Sequence, residues 1–130
     1  GQMLVVASPD NNNLVFFNRS STSASQYSFA YSRATSYLAP HGLWPVSDSF
    51  FYATSWTRNS VYAYSTTNYV TWTESLFINA TATSTVTGGS HLTIDECQRS
   101  WFSLYSNGLL IYDDRGSLIG NFSRITSGLF

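Results

Sequence analysis

SNGLLIYDDRGSLIGNF, residues 106–122, sets an apolar run, Leu109-Leu110-Ile111-Tyr112, between the turn formers Asn107-Gly108 and Asp113-Asp114-Arg115-Gly116. A second run, Leu118-Ile119, follows. Asn-Gly and Asp-rich, Gly-ended segments supply the backbone conformations that tight turns need, and aliphatic and aromatic runs favour strands. The stretch therefore reads as a β-hairpin. A lone hairpin is marginal in water, so its recurrence elsewhere decides the fold.

It recurs. Leu4-Val5-Val6-Ala7-Ser8, a turn over 9–13 and Leu14-Val15-Phe16-Phe17 form a first strand–turn–strand unit. Phe51-Tyr52-Ala53-Thr54-Ser55, a turn over 56–60 and Val61-Tyr62-Ala63-Tyr64 form a second. Trp101-Phe102-Ser103-Leu104-Tyr105, a turn over 106–108 and Leu109-Leu110-Ile111-Tyr112 form the third. Leu14, Val61 and Leu109 are equivalent, at spacings of 47 and 48 residues. So are Asn12, Asn59 and Asn107 in the turns, and Phe17, Tyr64 and Tyr112 at the strand ends. A period in the forties built from strands alone is the signature of propeller blades.

A blade has four strands, a to d from the axis outward. Strand d reads as residues 27–31, 74–78 and 117–122, and strand a as 41–46 and 91–94, each of the latter followed by an acidic turn. Pro45 is uncomfortable in a central strand and marks a bulge or a short strand. No strand a precedes the first hairpin, whereas Ile125-Thr126-Ser127-Gly128-Leu129-Phe130 has the strand-a pattern. The expected fold is all-β: a β-propeller made of three four-stranded blades, a half-propeller with strand order bcd-abcd-abcd-a. Residues 1–130 are expected to form a single repeat domain: blade 1 about 3–33, blade 2 about 40–80, blade 3 about 89–123, closing strand 125–130. Alternation along the blades predicts a core of Val5, Val6, Phe16, Leu43, Tyr52, Val61, Tyr62, Leu76, Ile94, Phe102, Leu109, Ile111 and Leu118.

Three segments carry a family likeness. They are Pro40-His41-Gly42-Leu43 ahead of a hairpin, Ile94-Asp95-Glu96-Cys97-Gln98-Arg99-Ser100-Trp101 at the a–b turn, and Gly108 to Asp113 with Gly116 at the c–d turn. The pattern resembles the NHL-type repeat family of β-propellers, whose blades carry Pro-x-Gly into strand a, an Asp after it, and a strand c ending near Asp and Gly. The resemblance covers nearly the whole chain and implies the propeller fold. It implies no particular activity, because propellers host lyases, lectins, hydrolases and scaffolds alike. The chain departs from the family in having three blades where closed NHL propellers usually have six. It also lacks the basic patch of RNA-binding members.

Composition narrows the function classes. Aromatics make up 17% of the chain and charged residues only 10%; all six basic residues are arginine, and the net charge is −1. This balance gives no electrostatic reason to bind nucleic acid or an anionic membrane. No stretch reaches the roughly 18 apolar residues of a membrane-spanning helix. The N-terminal residues show no basic-then-apolar leader pattern, so a leader is either already removed or was never present. Cys97 is the single cysteine, which on its own favours a reducing compartment. Against it stand three N-glycosylation sequons, at Asn18, Asn79 and Asn121, all expected on the outer rim and occupied. A secreted, extracellular glycoprotein is expected.

Candidate chemistry is sparse. His41 and His91 occupy nearly equivalent repeat positions near Asp48 and Asp95-Glu96, but their spacing matches no compact ligand set, so no metal is expected. Cys97 reads as a small turn residue rather than a nucleophile, and Asp113-Asp114 as a solvated turn. No Gly-x-Ser-x-Gly elbow, phosphate loop or Cys-x-x-Cys pair is present. No catalytic residue, no cofactor and no enzymatic activity are expected. The aromatics allow sugar stacking, with Trp56 in a b–c turn as the best exposed platform. Its aligned counterparts, Pro9 and Ser106, are not aromatic.

Three blades cannot close a ring alone, and open strand edges and blade faces need a partner. The expected partner is the protein itself. Leu4, Val5 and Val6 of one copy would pair head-to-tail with Gly128, Leu129 and Phe130 of the next, giving a closed ring or an open filament. The function expected is that of a secreted, N-glycosylated structural or assembly subunit. The alternatives are a carbohydrate-binding, lectin-like module and a fragment of a longer NHL-type propeller.

Overall fold

The computed structural model describes residues 3–19, 26–80, 88–105 and 108–122. These residues form three antiparallel sheets. Sheet 1 comprises β1 (Met3–Ser8), β2 (Asn13–Arg19) and β3 (Tyr27–Ala34). Sheet 2 comprises β4 (Pro40–Ser47), β5 (Phe50–Ser55), β6 (Ser60–Thr66) and β7 (Trp72–Asn79). Sheet 3 comprises β8 (Gly89–Ile94), β9 (Ser100–Leu104), β10 (Gly108–Tyr112) and β11 (Leu118–Phe122). Within each sheet the spatial order is the sequence order. The hairpin of residues 106–122 becomes β10 and β11, whose turn is fixed by Asp113 Oδ1 accepting the N–H groups of Arg115 (3.0 Å) and Ser117 (2.8 Å). Pro45 stands in β4, an edge strand of its sheet, where the pairing register shifts between Pro45 and Ser47. Pro is tolerated at a sheet edge and at a bulge.

One backbone device joins each sheet to the chain leaving it. Asn12 and Asn59 both adopt the left-handed conformation, φ 53° and 46°. The Asn12 carbonyl accepts the N–H of Thr35 (2.9 Å), and its Oδ1 accepts that of Ala39 (2.8 Å). The Asn59 carbonyl accepts the N–H of Ala80 (2.9 Å), and its Oδ1 accepts that of Gly89 (3.0 Å). Asparagine suits this place because it tolerates φ > 0 and carries an acceptor on a short stem. Each asparagine thus clasps both ends of the linker that carries the chain to the next sheet. Asn107, the third of the series, lies outside the described residues.

Neighbouring sheets pack face to face, with β1 against β4, and β4 and β5 against β8. Sheets 1 and 2 enclose rings: Phe16, Phe51, Tyr62, Tyr64 and Trp72, with Tyr37. Sheets 2 and 3 enclose mainly aliphatic groups: Val61, Ile78, Leu92, Leu104 and Leu110, with Phe102. Inner strands β4 and β8 come close at Gly42, where a Cβ would stand 2.5 Å from the Ser90 carbonyl oxygen.

The core expectation needs three corrections. Val6, Leu76 and Leu118 are 42%, 54% and 41% exposed. Val6 lies on the face of sheet 1 turned away from sheet 2, while Leu76 and Leu118, though paired with the core residues Tyr62 and Tyr112, sit on the outermost strands of their sheets. Leu109 is only half-buried, because its face of sheet 3 points away from sheet 2. Conversely, Tyr37, in the Ser/Thr-containing segment between β3 and β4 and outside the expected core, is fully buried with its ring stacked 3.9 Å from that of Tyr62.

Candidate functional site

The inner ends of sheets 2 and 3 carry a cluster built by backbone register. The Trp56 N–H bonds the Ala39 carbonyl (2.9 Å), and the Tyr105 N–H bonds that of Gly88 (2.8 Å). These two bonds extend the β4–β5 and β8–β9 ladders by one position in the same way. Trp56 and Tyr105 are therefore structural equivalents. The aligned counterpart of Trp56 is Tyr105 rather than Ser106, because the b–c turn of sheet 3 is one residue shorter; the aromatic platform does repeat. The Trp56 carbonyl in turn accepts the N–H of Gly88 (2.8 Å), locking the turn of sheet 2 to the start of sheet 3. Gly88, at φ +133°, permits this approach, since a Cβ there would lie 2.9 Å from Tyr105 Cβ.

Four rings follow one another at this end. The Tyr105 ring lies 5.4 Å from that of Trp56, Trp56 5.1 Å from His41, and His41 5.7 Å edge-on from His91. Tyr105 is 75% exposed, His41 and His91 are exposed, and Trp56 is half-buried. His91 Nδ1 stands 2.6 Å from Ser90 Oγ. Among the described residues no three His, Cys, Asp or Glu side chains gather as a metal site requires. Cys97 is exposed in the β8–β9 turn, apart from His91 by sequence and sheet position. Asp48 follows β4 at its other end.

Asp95 is a structural acid. Its carboxylate accepts Trp101 Nε1–H (2.9 Å) and the backbone N–H groups of Arg99 (2.9 Å) and Cys97 (3.0 Å), and it pairs with the Arg99 guanidinium at 2.7 Å. The Trp101 hydrogen bond above all, with the Arg99 bonds beside it, holds its pKa at about 2. The carboxylate is fully engaged in shaping its turn.

The residues expected to mediate self-association lie at an open edge. Among the described residues β1 pairs only with β2. Leu4 and Val6 are each 42% exposed and Val5 is half-buried. A groove of about 390 Å³ runs beside this edge, lined by Met3, Leu4 and Val5 and, across it, by Leu43, Pro45 and Val46. Gly128, Leu129 and Phe130 lie outside the described residues. The three sequon asparagines, Asn18, Asn79 and Asn121, are all exposed. Asn79 ends β7 and Asn121 lies on β11, both outermost strands. Asn18 lies within the central strand β2, paired to Met3 and Ser28, rather than after it.

No family model matches the chain, and no curated protein matches it in sequence. Among solved structures it is similar to a gluconolactonase from Xanthomonas campestris, at 13% identity and a TM-score of 0.54. The match covers 93% of this chain and 46% of that one, so the chain spans about half the length of its structural neighbour. That neighbour is an enzyme, which lends no support to the expectation that this chain has no activity. It is a six-bladed, NHL-like β-propeller. At this identity the likeness shows the fold alone: the three sheets are arranged as in a β-propeller.

Proposed function

We propose that the chain supplies three blades of an NHL-like propeller and works as a secreted, N-glycosylated assembly subunit whose open ends dock on further copies. The observation that carries this reading is the character of the two outward faces. Alternation and register put Leu4, Val6, Phe17 and Phe29 on the face of sheet 1 turned away from sheet 2. They put Trp101, Leu109 and Phe122 on the face of sheet 3 turned away from sheet 2. On sheet 2 the equivalent faces are buried: Val61, the counterpart of Leu109, is fully covered by sheet 3. The two end faces are thus the two halves of an internal interface, presented to solvent. Docking one on the other is a heterologous contact, which either closes into a ring or continues as a filament. The open edge of β1, with its groove, receives an inner strand that sheet 1 lacks among the described residues, for which the sequence of 125–130 has the pattern. The half-length match to a six-bladed propeller fits a ring of two copies.

Solution mass with glycans intact tests this. A dimer or a larger species is expected for the 130-residue chain. Leu109→Glu and deletion of 126–130 should each yield monomer while circular dichroism stays that of folded β protein. A monomeric parent chain, or variants that assemble as well as it does, would overturn the reading and leave the fragment of a longer propeller in its place. Loss of mass on glycosidase treatment checks the three sequons in the same sample.

A further inference from the structure

We propose that Tyr105, Trp56, His41 and His91 form a binding site for a neutral pyranose ring, whether or not copies of the chain assemble. A pyranose is amphiphilic: its axial C–H groups make an apolar face and its hydroxyls ring that face. Its complement is an exposed aromatic face bordered by neutral hydrogen-bonding groups. Tyr105 is the most exposed large apolar side chain among the described residues. Its ring rests on Trp56 instead of rotating freely in water. His41 also packs against Trp56, and His91 against His41.

An imidazole nitrogen donates to or accepts from a sugar hydroxyl according to its tautomer. Ser90 Oγ engages Nδ1 of His91 and so fixes the ring, leaving Nε2 for a ligand. The backbone beneath the cluster is fastened from both sides. Trp56 is bonded through its N–H to Ala39 and through its carbonyl to Gly88, and Gly88 is bonded through its carbonyl to Tyr105. Little order has to be gained on binding, which is what allows a small, weakly hydrophobic ligand to be held at all. The same ladder position is aromatic in two successive sheets, so the platform is a product of the repeat and not of one chance residue.

The test uses the full chain after enzymatic removal of N-glycans, so that its own sugars do not compete. Methyl glucoside, methyl galactoside, N-acetylglucosamine and lactose are titrated and followed by calorimetry and by side-chain NMR shifts. Saturable binding of at least one sugar in the millimolar range is expected, about 4 kcal/mol. Tyr105→Ala should weaken it at least about tenfold with an unchanged thermal midpoint, since three-quarters of that side chain is already in water. His41→Ala should weaken it too, and Tyr69→Ala, an exposed tyrosine in the β6–β7 turn, should have no effect. Failure of all four sugars to bind would overturn the proposal. So would binding that Tyr105→Ala and His41→Ala leave intact, or shifts confined to residues outside the cluster.

Discussion

The two interfaces between the sheets are made by the same backbone device and differ in what fills their buried centres. Between sheets 1 and 2 lie stacked and tilted rings: Phe16 on Tyr31 at 4.6 Å, Phe51 on Tyr64 at 4.9 Å, Tyr37 on Tyr62 at 3.9 Å. A polar thread runs through them. The Tyr64 hydroxyl donates to Glu74 Oε2 (2.5 Å) and stands 3.2 Å from the Tyr37 hydroxyl; Glu74 also receives the Ser36 hydroxyl. The Arg33 guanidinium lies over the Tyr64 ring and bonds the Trp72 carbonyl. Between sheets 2 and 3 the buried side chains are aliphatic apart from Phe102 and Tyr112, with the part-buried rings of Trp44, Tyr52 and Phe77 packed around them. Asn12 and Asn59 nevertheless clasp the two linkers through matching atoms. The repeat is therefore held constant in its turn asparagines and ladder ends, while side-chain volume between sheets is free to vary, as long as each gap is filled.

Core truncation should be the largest perturbation on either side. Phe16→Ala should cost about 3–5 kcal/mol and Leu110→Ala about 2–5 kcal/mol in chemical denaturation. Phe16 touches Tyr31, Phe51 and Trp72, so its cavity has rigid walls that collapse poorly. If Leu110→Ala were the costlier of the two, the ring-filled interface would be the more adaptable one.

The clasp comes next. Asn59 is 3% exposed and bonds a buried N–H, whereas Asn12 is half-buried. Asn59→Ala should cost about 1–3 kcal/mol, because the buried Gly89 N–H keeps only its 3.3 Å bond to the Trp56 carbonyl, and Asn12→Ala about 1 kcal/mol. Amide exchange at Gly89 should quicken in the first variant and at Ala39 in the second. Equal costs would mean that burial does not grade the clasp.

The last effect, absent at neutral pH, separates the interfaces by pH. Burial first, with the neighbouring tyrosine and Glu74 behind it, raises the Tyr64 phenol above its ordinary value of 10.0, and burial likewise raises Tyr37. Their contribution is fully present below pH 10 and is lost as pH rises beyond it, because only the unfolded phenols ionise there. Each should remove about 1.4 kcal/mol per pH unit above that point. The alkaline limb of stability should be shallower in Tyr64→Phe, and an identical slope would place the loss elsewhere.

How much of this was legible in the sequence follows the same division. The three hairpins, their strands and even the bulge at Pro45 were readable, because turn chemistry and alternation are local signals. The turn asparagines stood out as equivalent positions, though not their bonds to the linkers, which span 27 and 30 residues. Tyr37 was missed because it sits in a Ser/Thr-rich linker, where local pattern gives no sign that sheet 2 covers it. Val6, Leu76 and Leu118 were misread because alternation says which residues share a face but not whether another sheet lies over it. The Trp56–Tyr105 pairing was missed for a single residue of turn length, which sequence alignment placed after Tyr105 and the β8–β9 ladder places at it. The clustering of His41 with Trp56 depends on register across strands, which no spacing in the chain announces.

The short reach of the asparagine clasp bears on how the chain acquires its structure. Each clasp closes a loop of about thirty residues, and each packed pair of sheets involves neighbours along the chain. Ordering entropy is therefore met in small instalments, one sheet upon the last, as in a linear array. Folding is expected to propagate from whichever pair of sheets forms first and opening to begin at the ends, so that in a hydrogen-exchange measurement the middle sheet, covered on both faces, should be the last to exchange its amide hydrogens.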